Sequence, residues 1–156
     1  MSRDTDSFNR WEAGLQLCTD VLLAMIKDVQ AGKHPSADPV YLDAMGGVIA
    51  RADEDHAFAA LMLIPPGEAE IGLSMSPIDP DAIHSARKDL IRAVAEAHEP
   101  ALEALYRKHE SHGTFSPDAE SAGRRSLRNA ALRFLTVADD TGAAKLADAH
   151  YRSATN

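Results

Sequence analysis

The spacing of apolar residues near the start of the chain limits its fold more than any other feature. Phe8, Trp11, Leu15, Cys18, Leu22, Met25, Ile26 and Val29 recur at steps of three and four, with Met25 and Ile26 adjacent. Such steps put them on one stripe of an α-helix, where 3.6 residues complete a turn. Asp6 stands where an N-cap belongs, and Gly32 follows Ala31 as a C′ residue that ends the helix. No segment of the chain alternates with a period of two, so nothing reads as a half-buried strand. The 28 alanines against 13 valines plus isoleucines carry the same preference for helix.

The same reading divides the rest of the chain. Asp38-Pro39 is a cap followed by a first helical position, and it predicts a helix from Pro39 to about Arg51 burying Leu42, Met45 and Ile49. Gly46-Gly47 inside it implies a bend or a close approach by a neighbouring helix. A helix over about Glu54 to Ile64, with Phe58, Leu61, Met62 and Ile64 as its apolar set, ends at Pro65-Pro66-Gly67. A short helix is expected over Glu68 to Met75. Asp79-Pro80 then opens a long one to about Glu110, with Ile83, Ala86, Leu90, Val94, Ala97, Leu102, Leu105 and Tyr106 inward and a kink or break at Pro100. Two more helices are expected, Ser116-Pro117 to about Ala138 and Ala143 to Arg152. The expected fold is all-α, with six or seven helices in antiparallel pairs, stacked either as a solenoid, a segment of an ARM/HEAT-like superhelix, or as an irregular bundle. Phe8, Trp11, Leu15, Leu90, Leu127 and Phe134 are its expected core.

Charge and composition narrow the function. A formal net charge of −8, with 24 acids against 16 Lys and Arg, argues against nucleic-acid binding, which depends on clustered cations. A single cysteine allows no internal disulfide, and Cys18 on the apolar stripe reads as a buried small hydrophobe. No apolar run approaches the roughly 20 residues of a membrane span, and MSRDTDSFNR has no apolar signal core. A cytoplasmic protein without membrane contact is therefore expected. Seven histidines invite a metal, but His98-Glu99 is followed by Pro-Ala-Leu, and in His109-Glu110-Ser111-His112 the histidines are three apart. A zinc-peptidase helix needs H-E-x-x-H, with both imidazoles on one face. The pattern places no third ligand nearby, and neither a metal site nor a catalytic residue is expected. The acidic run Asp53-Glu54-Asp55 reads as helix capping and first-turn acids rather than a metal loop. The one basic cluster, Arg124, Arg125 and Arg128 beside Asn129, fits either a solvated face paired with local acids or a contact to an anion or another domain's carboxylates.

Several stretches resemble a known family in that family's own order. Asp6-Ser7-Phe8-Asn9-Arg10-Trp11-Glu12-Ala13 resembles the D-P-F-N-R-W-[DE]-A stretch of bacterial aminopeptidase N, a zinc alanyl aminopeptidase. Leu63-Ile64-Pro65 is similar to its L-x-L-P helix ending, and the Pro77 to Ile83 stretch to its I-D-P-x-A-I helix start. The run Ser126 to Leu135, reading SLRNAALRFL, is similar to T-L-R-N-x-x-L-x-F-L, and Ala154-Thr155-Asn156 to the A-x-N before M-T-D. Ser7 replaces the usual proline, Gly46-Gly47 replaces larger residues, and Pro100 interrupts a helix the family continues.

The resemblance implies that residues 1–156 are part of one helical C-terminal domain, with 1–5 disordered and the family's domain continuing past Asn156. The family's G-A-M-E-N, H-E-x-x-H and transition-state tyrosine motifs have no counterpart here. It thus implies no cofactor in this segment, zinc in the parent's catalytic domain, and that domain as the partner. Peptide substrates would be met through the intact enzyme alone. The segment would shape and limit access to the active-site cavity, with Asn9, Arg10, Trp11, Arg124, Arg125, Arg128 and Asn129 as candidate inter-helix or inter-domain contacts. The alternative is a stand-alone helical-repeat scaffold that binds a protein partner.

Overall fold

The computed structural model describes residues 6–110, 114–138 and 142–154; the expectation for 1–5 lies outside them. The described residues form seven helices and no strand: α1 Ser7–Gln30, α2 Pro39–Ala50, α3 His56–Met62, α4 Glu68–Gly72, α5 Pro80–Lys108, α6 Ala119–Ala138 and α7 Ala143–Ser153. Aspartates start most of them, as the sequence predicts. Asp6, Asp38, Asp55 and Asp79 accept hydrogen bonds from the backbone N–H groups of Phe8, Val40, Phe58 and Ala82 at 2.8–3.1 Å. Each satisfies an amide that the first helical turn leaves without a partner. Gly32 ends α1 at φ +70°, where a side chain would be strained, and lets Lys33 N donate to Asp28 O at 2.9 Å.

Helix α5 is the spine, packed against α1, α2, α4 and α6, while α6 also carries α3 and α7. Cys18, Leu22, Met25 and Ile26 of α1, Leu90, Ile91 and Val94 of α5, and Leu127, Ala131 and Phe134 of α6 all lie in one core. Each fully buried large side chain there contributes about 1.5–3 kcal/mol. Buried alanines at 59, 60, 82, 86, 95, 130 and 131 let the helices approach closely. Gly123 does the same for α3 and α6, since a Cβ on it would sit 3.2 Å from the backbone N of Ala57.

Helix α5 bends where Pro100 predicts. The ring of Pro100 removes an amide donor and crowds the carbonyl four residues before it, and His98 leaves the helical region at φ −130°, ψ 18°. The turned His98 ring lies on Gly46, and its Nε2 donates to the carbonyl of Leu42 at 2.8 Å. The glycine pair is thus a close approach at Gly46; a Cβ at Gly47 would meet nothing within 4 Å.

Four local expectations are corrected. Phe8 is 62% exposed and Trp11 and Leu15 are half-buried, because the apolar stripe of α1 runs beyond the helices that cover it. In α3, Ala59, Ala60 and then Leu63 turn inward, leaving Leu61 and Ile64 exposed. Tyr41 rather than Leu42 completes the buried face of α2. Ala97 is exposed, since the bend at His98 rotates the stripe.

Candidate functional site

Two surfaces and one polar cluster gather the candidate residues. The first surface is the uncovered end of α1. Phe8 and Trp11, one turn apart, stack with ring centroids 5.9 Å from each other. Trp11 lines a narrow crevice with Leu61, Ile64 and Pro66 from the α3–α4 region. Arg10 lies on the neighbouring face and places its guanidinium 4.7 Å from the centre of the Phe58 ring, a cation–π contact between α1 and α3. Asn9 is exposed beside them. The result is an apolar edge bordered by one cation.

The second surface surrounds a cavity of about 370 Å³ lined by Phe115, Arg125, Arg128, Asn129, His150 and Ser153, among others. Arg125 Nη1 donates to Ser116 O at 2.8 Å, and its guanidinium covers the Phe115 ring at 4.7 Å. Arg128 reaches from α6 to α5: it stacks 4.6 Å over Tyr106 and donates from Nη2 to Glu110 at 2.9 Å. Its side chain is 11% exposed, and its Nε has no hydrogen-bond partner among the described residues. Tyr106 also pairs through its hydroxyl with His150 Nδ1 at 3.1 Å, and burial holds the His150 imidazole below its ordinary pKa. Arg124 points elsewhere, onto Glu120 one turn back at 2.6 Å. The arginine cluster is therefore split: Arg128 joins helices, Arg125 holds the loop before α6, and Arg124 makes a surface pair.

The polar cluster is absent from the sequence-level candidates. Asp53 lies in the turn between α2 and α3, His56 opens α3, and His109 caps the end of α5. His109 Nε2 lies 3.4 Å from Asp53 Oδ1, and His56 Nε2 lies 3.8 Å from the same oxygen. The two imidazoles meet edge to face with centroids 4.8 Å apart. Lys108 Nζ donates to Asp53 Oδ2 at 2.7 Å, and this bond above all holds the carboxyl below its ordinary pKa. Burial first, then the charge of His56, pushes the His109 imidazole down. Asp53 and His109 stand 56 positions apart, so no local pattern announces them.

Cys18 behaves as the sequence predicts. It is buried in the core, accepts from the Tyr41 hydroxyl at 3.2 Å, and burial pushes its thiol up to about 11. Such a thiol is inert as a nucleophile at neutral pH.

Fold and surfaces together define an α-helical repeat domain with an apolar edge. The family described as "Domain of unknown function (DUF3458_C) ARM repeats" matches residues 1–156. Aminopeptidase N of Caulobacter vibrioides is 38% identical over 136 residues, covering 86% of this chain and 15% of that protein. Aminopeptidase N of Escherichia coli K12 is 30% identical over 157 aligned positions, covering all of this chain and 18% of that protein. The crystal structure of Legionella pneumophila aminopeptidase A in complex with aspartic acid superposes with a TM-score of 0.77 over 96% of this chain and 18% of that one. At 19% identity, that likeness bears on the fold alone. The chain belongs to this ARM-repeat family, and what it resembles is the C-terminal helical domain of aminopeptidase N. It spans less than a fifth of the length of these relatives. No helix among the described residues is long and apolar enough to cross a membrane.

Proposed function

We infer that this chain is a helical segment of a zinc aminopeptidase, one that packs against the catalytic domain and limits which substrates reach the active-site cavity. The observation that supports it is the uncovered apolar edge of α1. Phe8 and Trp11 stand in the stretch that most resembles aminopeptidase N, yet the chain's own helices leave Phe8 62% exposed and Trp11 half-buried. Uncovered aromatic surface next to Leu61 and Ile64 favours a second protein surface over water. On this reading that surface is the parent's own catalytic domain, in the cytoplasm, and the segment alone carries no catalysis.

The catalytic zinc of that family does not fit the donors found here. Its two imidazoles must share one face of a helix, four residues apart. His98 instead sits at the bend of α5 with Nε2 on the Leu42 carbonyl, and His109 lies at the helix end. No step of hydrolysis is assigned to this chain.

The experiment is a comparison of two preparations on an alanyl chromogenic substrate and on a folded protein with an exposed alanine terminus. The 156-residue chain, with or without zinc, is expected to turn over neither. The intact parent is expected to cleave the small substrate and spare the folded one, and paired Phe8→Ser and Trp11→Ser changes are expected to weaken that discrimination. Turnover by the 156-residue chain, or unchanged discrimination in the paired variant, refutes the reading.

A further inference from the structure

We propose that Asp53, His56 and His109 form a structural site for a divalent transition ion of the zinc class, stapling the α2–α3 turn and the start of α3 to the end of α5. Two imidazoles and a carboxylate are a donor set such ions favour, with a water completing four-fold coordination. The three candidate donor atoms already lie within 4.8 Å of one another. At zinc-to-nitrogen distances of about 2.0–2.1 Å, tetrahedral geometry puts neighbouring donors roughly 3.3 Å apart. The separation between His109 Nε2 and Asp53 Oδ1 is 3.4 Å, and that between His56 Nε2 and Asp53 Oδ1 is 3.8 Å. The remaining gap closes by rotation of the His56 ring, whose side chain is 19% exposed and lies at a helix start.

A second observation points to a ligand rather than to a chance meeting of polar groups. His109 is 7% exposed, and its Nε2 is fully shielded from solvent without a hydrogen-bond partner among the described residues. The nearby Asp53 oxygen is close but not aligned to accept from it. A buried polar nitrogen without a partner is costly, and a cation placed between these groups removes the deficit. The electrostatic surroundings set the affinity. Asp53 supplies one negative charge and Lys108 competes for its Oδ2, while Arg124, engaged with Glu120, adds positive potential at His109. The donors therefore suit a modest site whose ion displaces the ammonium of Lys108, not a high-affinity cage.

The test uses the untagged 156-residue chain, stripped with a chelator and titrated with Zn²⁺ alone by calorimetry, with Co²⁺ absorption reporting coordination. One saturable site and a raised unfolding temperature in Zn²⁺ are expected. Asp53→Asn and His56→Asn, both on accessible residues, are expected to lower affinity at least tenfold, in line with the roughly 10–100-fold effects of disturbing metal surroundings. Circular dichroism verifies that they keep their helix content. Lys108→Met is expected to tighten binding several-fold by freeing Asp53. Absence of saturable binding by the folded wild-type chain overturns the site. So does full affinity in both asparagine variants, which assigns the ion to other histidines, or weaker binding by Lys108→Met.

Discussion

Adjacent glycines on α2 offer a controlled experiment, because alanine at either position gains the same intrinsic helix preference, about 1 kcal/mol. Their surroundings differ. At Gly47 a new Cβ meets nothing within 4 Å, so Gly47→Ala is expected to stabilise the chain by about that amount. At Gly46 the same carbon would lie 2.7 Å from His98 Cε1 and 3.3 Å from Nε2, so the ring must move. Moving it gives up the 2.8 Å bond to the Leu42 carbonyl, worth about 0.5–1.5 kcal/mol, and turns the side chain from its preferred rotamer at a similar cost. Gly46→Ala should therefore fall between neutral and about 2 kcal/mol destabilising, a gap of about 1–3 kcal/mol from its neighbour. Urea unfolding with unchanged m-values measures that gap, and a cycle with His98→Ala isolates the coupling. Equal stabilisation by the two alanines would falsify the claim that the α5 bend rests on Gly46.

Three further outcomes follow from burial and ionisation. Leu22→Ala, at a fully buried position, should cost about 2–5 kcal/mol, whereas Phe8→Ala should shift stability by less than about 0.5 kcal/mol because its ring is 62% exposed; thermal unfolding compares them, and a large Phe8 effect refutes the uncovered edge. The Cys18 thiol, raised from its ordinary 9.0 to about 11 in the fold, favours the folded state fully below pH 9 and loses that contribution as pH rises to 11. The loss is about 2–3 kcal/mol, Tyr41 acts in the same direction, and a Cys18→Ala chain with an equally steep alkaline decline contradicts the assignment. His109 and Asp53 are both depressed, so their contributions are present above their unfolded values and fade on acidification, His109 below about pH 6.5 and Asp53 at lower pH. His109→Asn should flatten the first part of that decline, and an unchanged acid profile measured by denaturant midpoints speaks against the buried neutral imidazole.

Helix positions were readable from the sequence because their signals are local: an aspartate supplies the cap, a following proline pre-sets the first turn, and apolar steps of three and four mark the face. The side of α3 that turns inward was not readable. Seven residues make barely two turns, and which face turns inward is decided by how α3 packs on α6 and α1, a long-range arrangement that local spacing does not encode. Periodicity also identified Phe8, Trp11 and Leu15 as one stripe without revealing where the covering helices stop. The arginine cluster was visible as composition, but its separation into a helix-bridging Arg128 and a surface Arg124 depends on Tyr106 and Glu120 being where they are. Asp53 and His109 stand in separate stretches that a sequence reading considers one at a time. Their meeting with His56 left no trace in the pattern, because only the return of α5 beside the α2–α3 turn brings the three together.

Helix α7 has eleven residues, none of them buried; it rests on α6, with Leu146 partly buried against the core and His150 pairing with Tyr106 of α5. A helix with no buried side chain has few apolar contacts to lose on opening, so it has a shallower free-energy well than the spine. Amides 143–153 should consequently exchange with solvent through small, frequent openings, while those of α1 and the first half of α5 wait for the whole array to unfold. Protection along this chain is therefore graded, highest at the spine and declining toward α7.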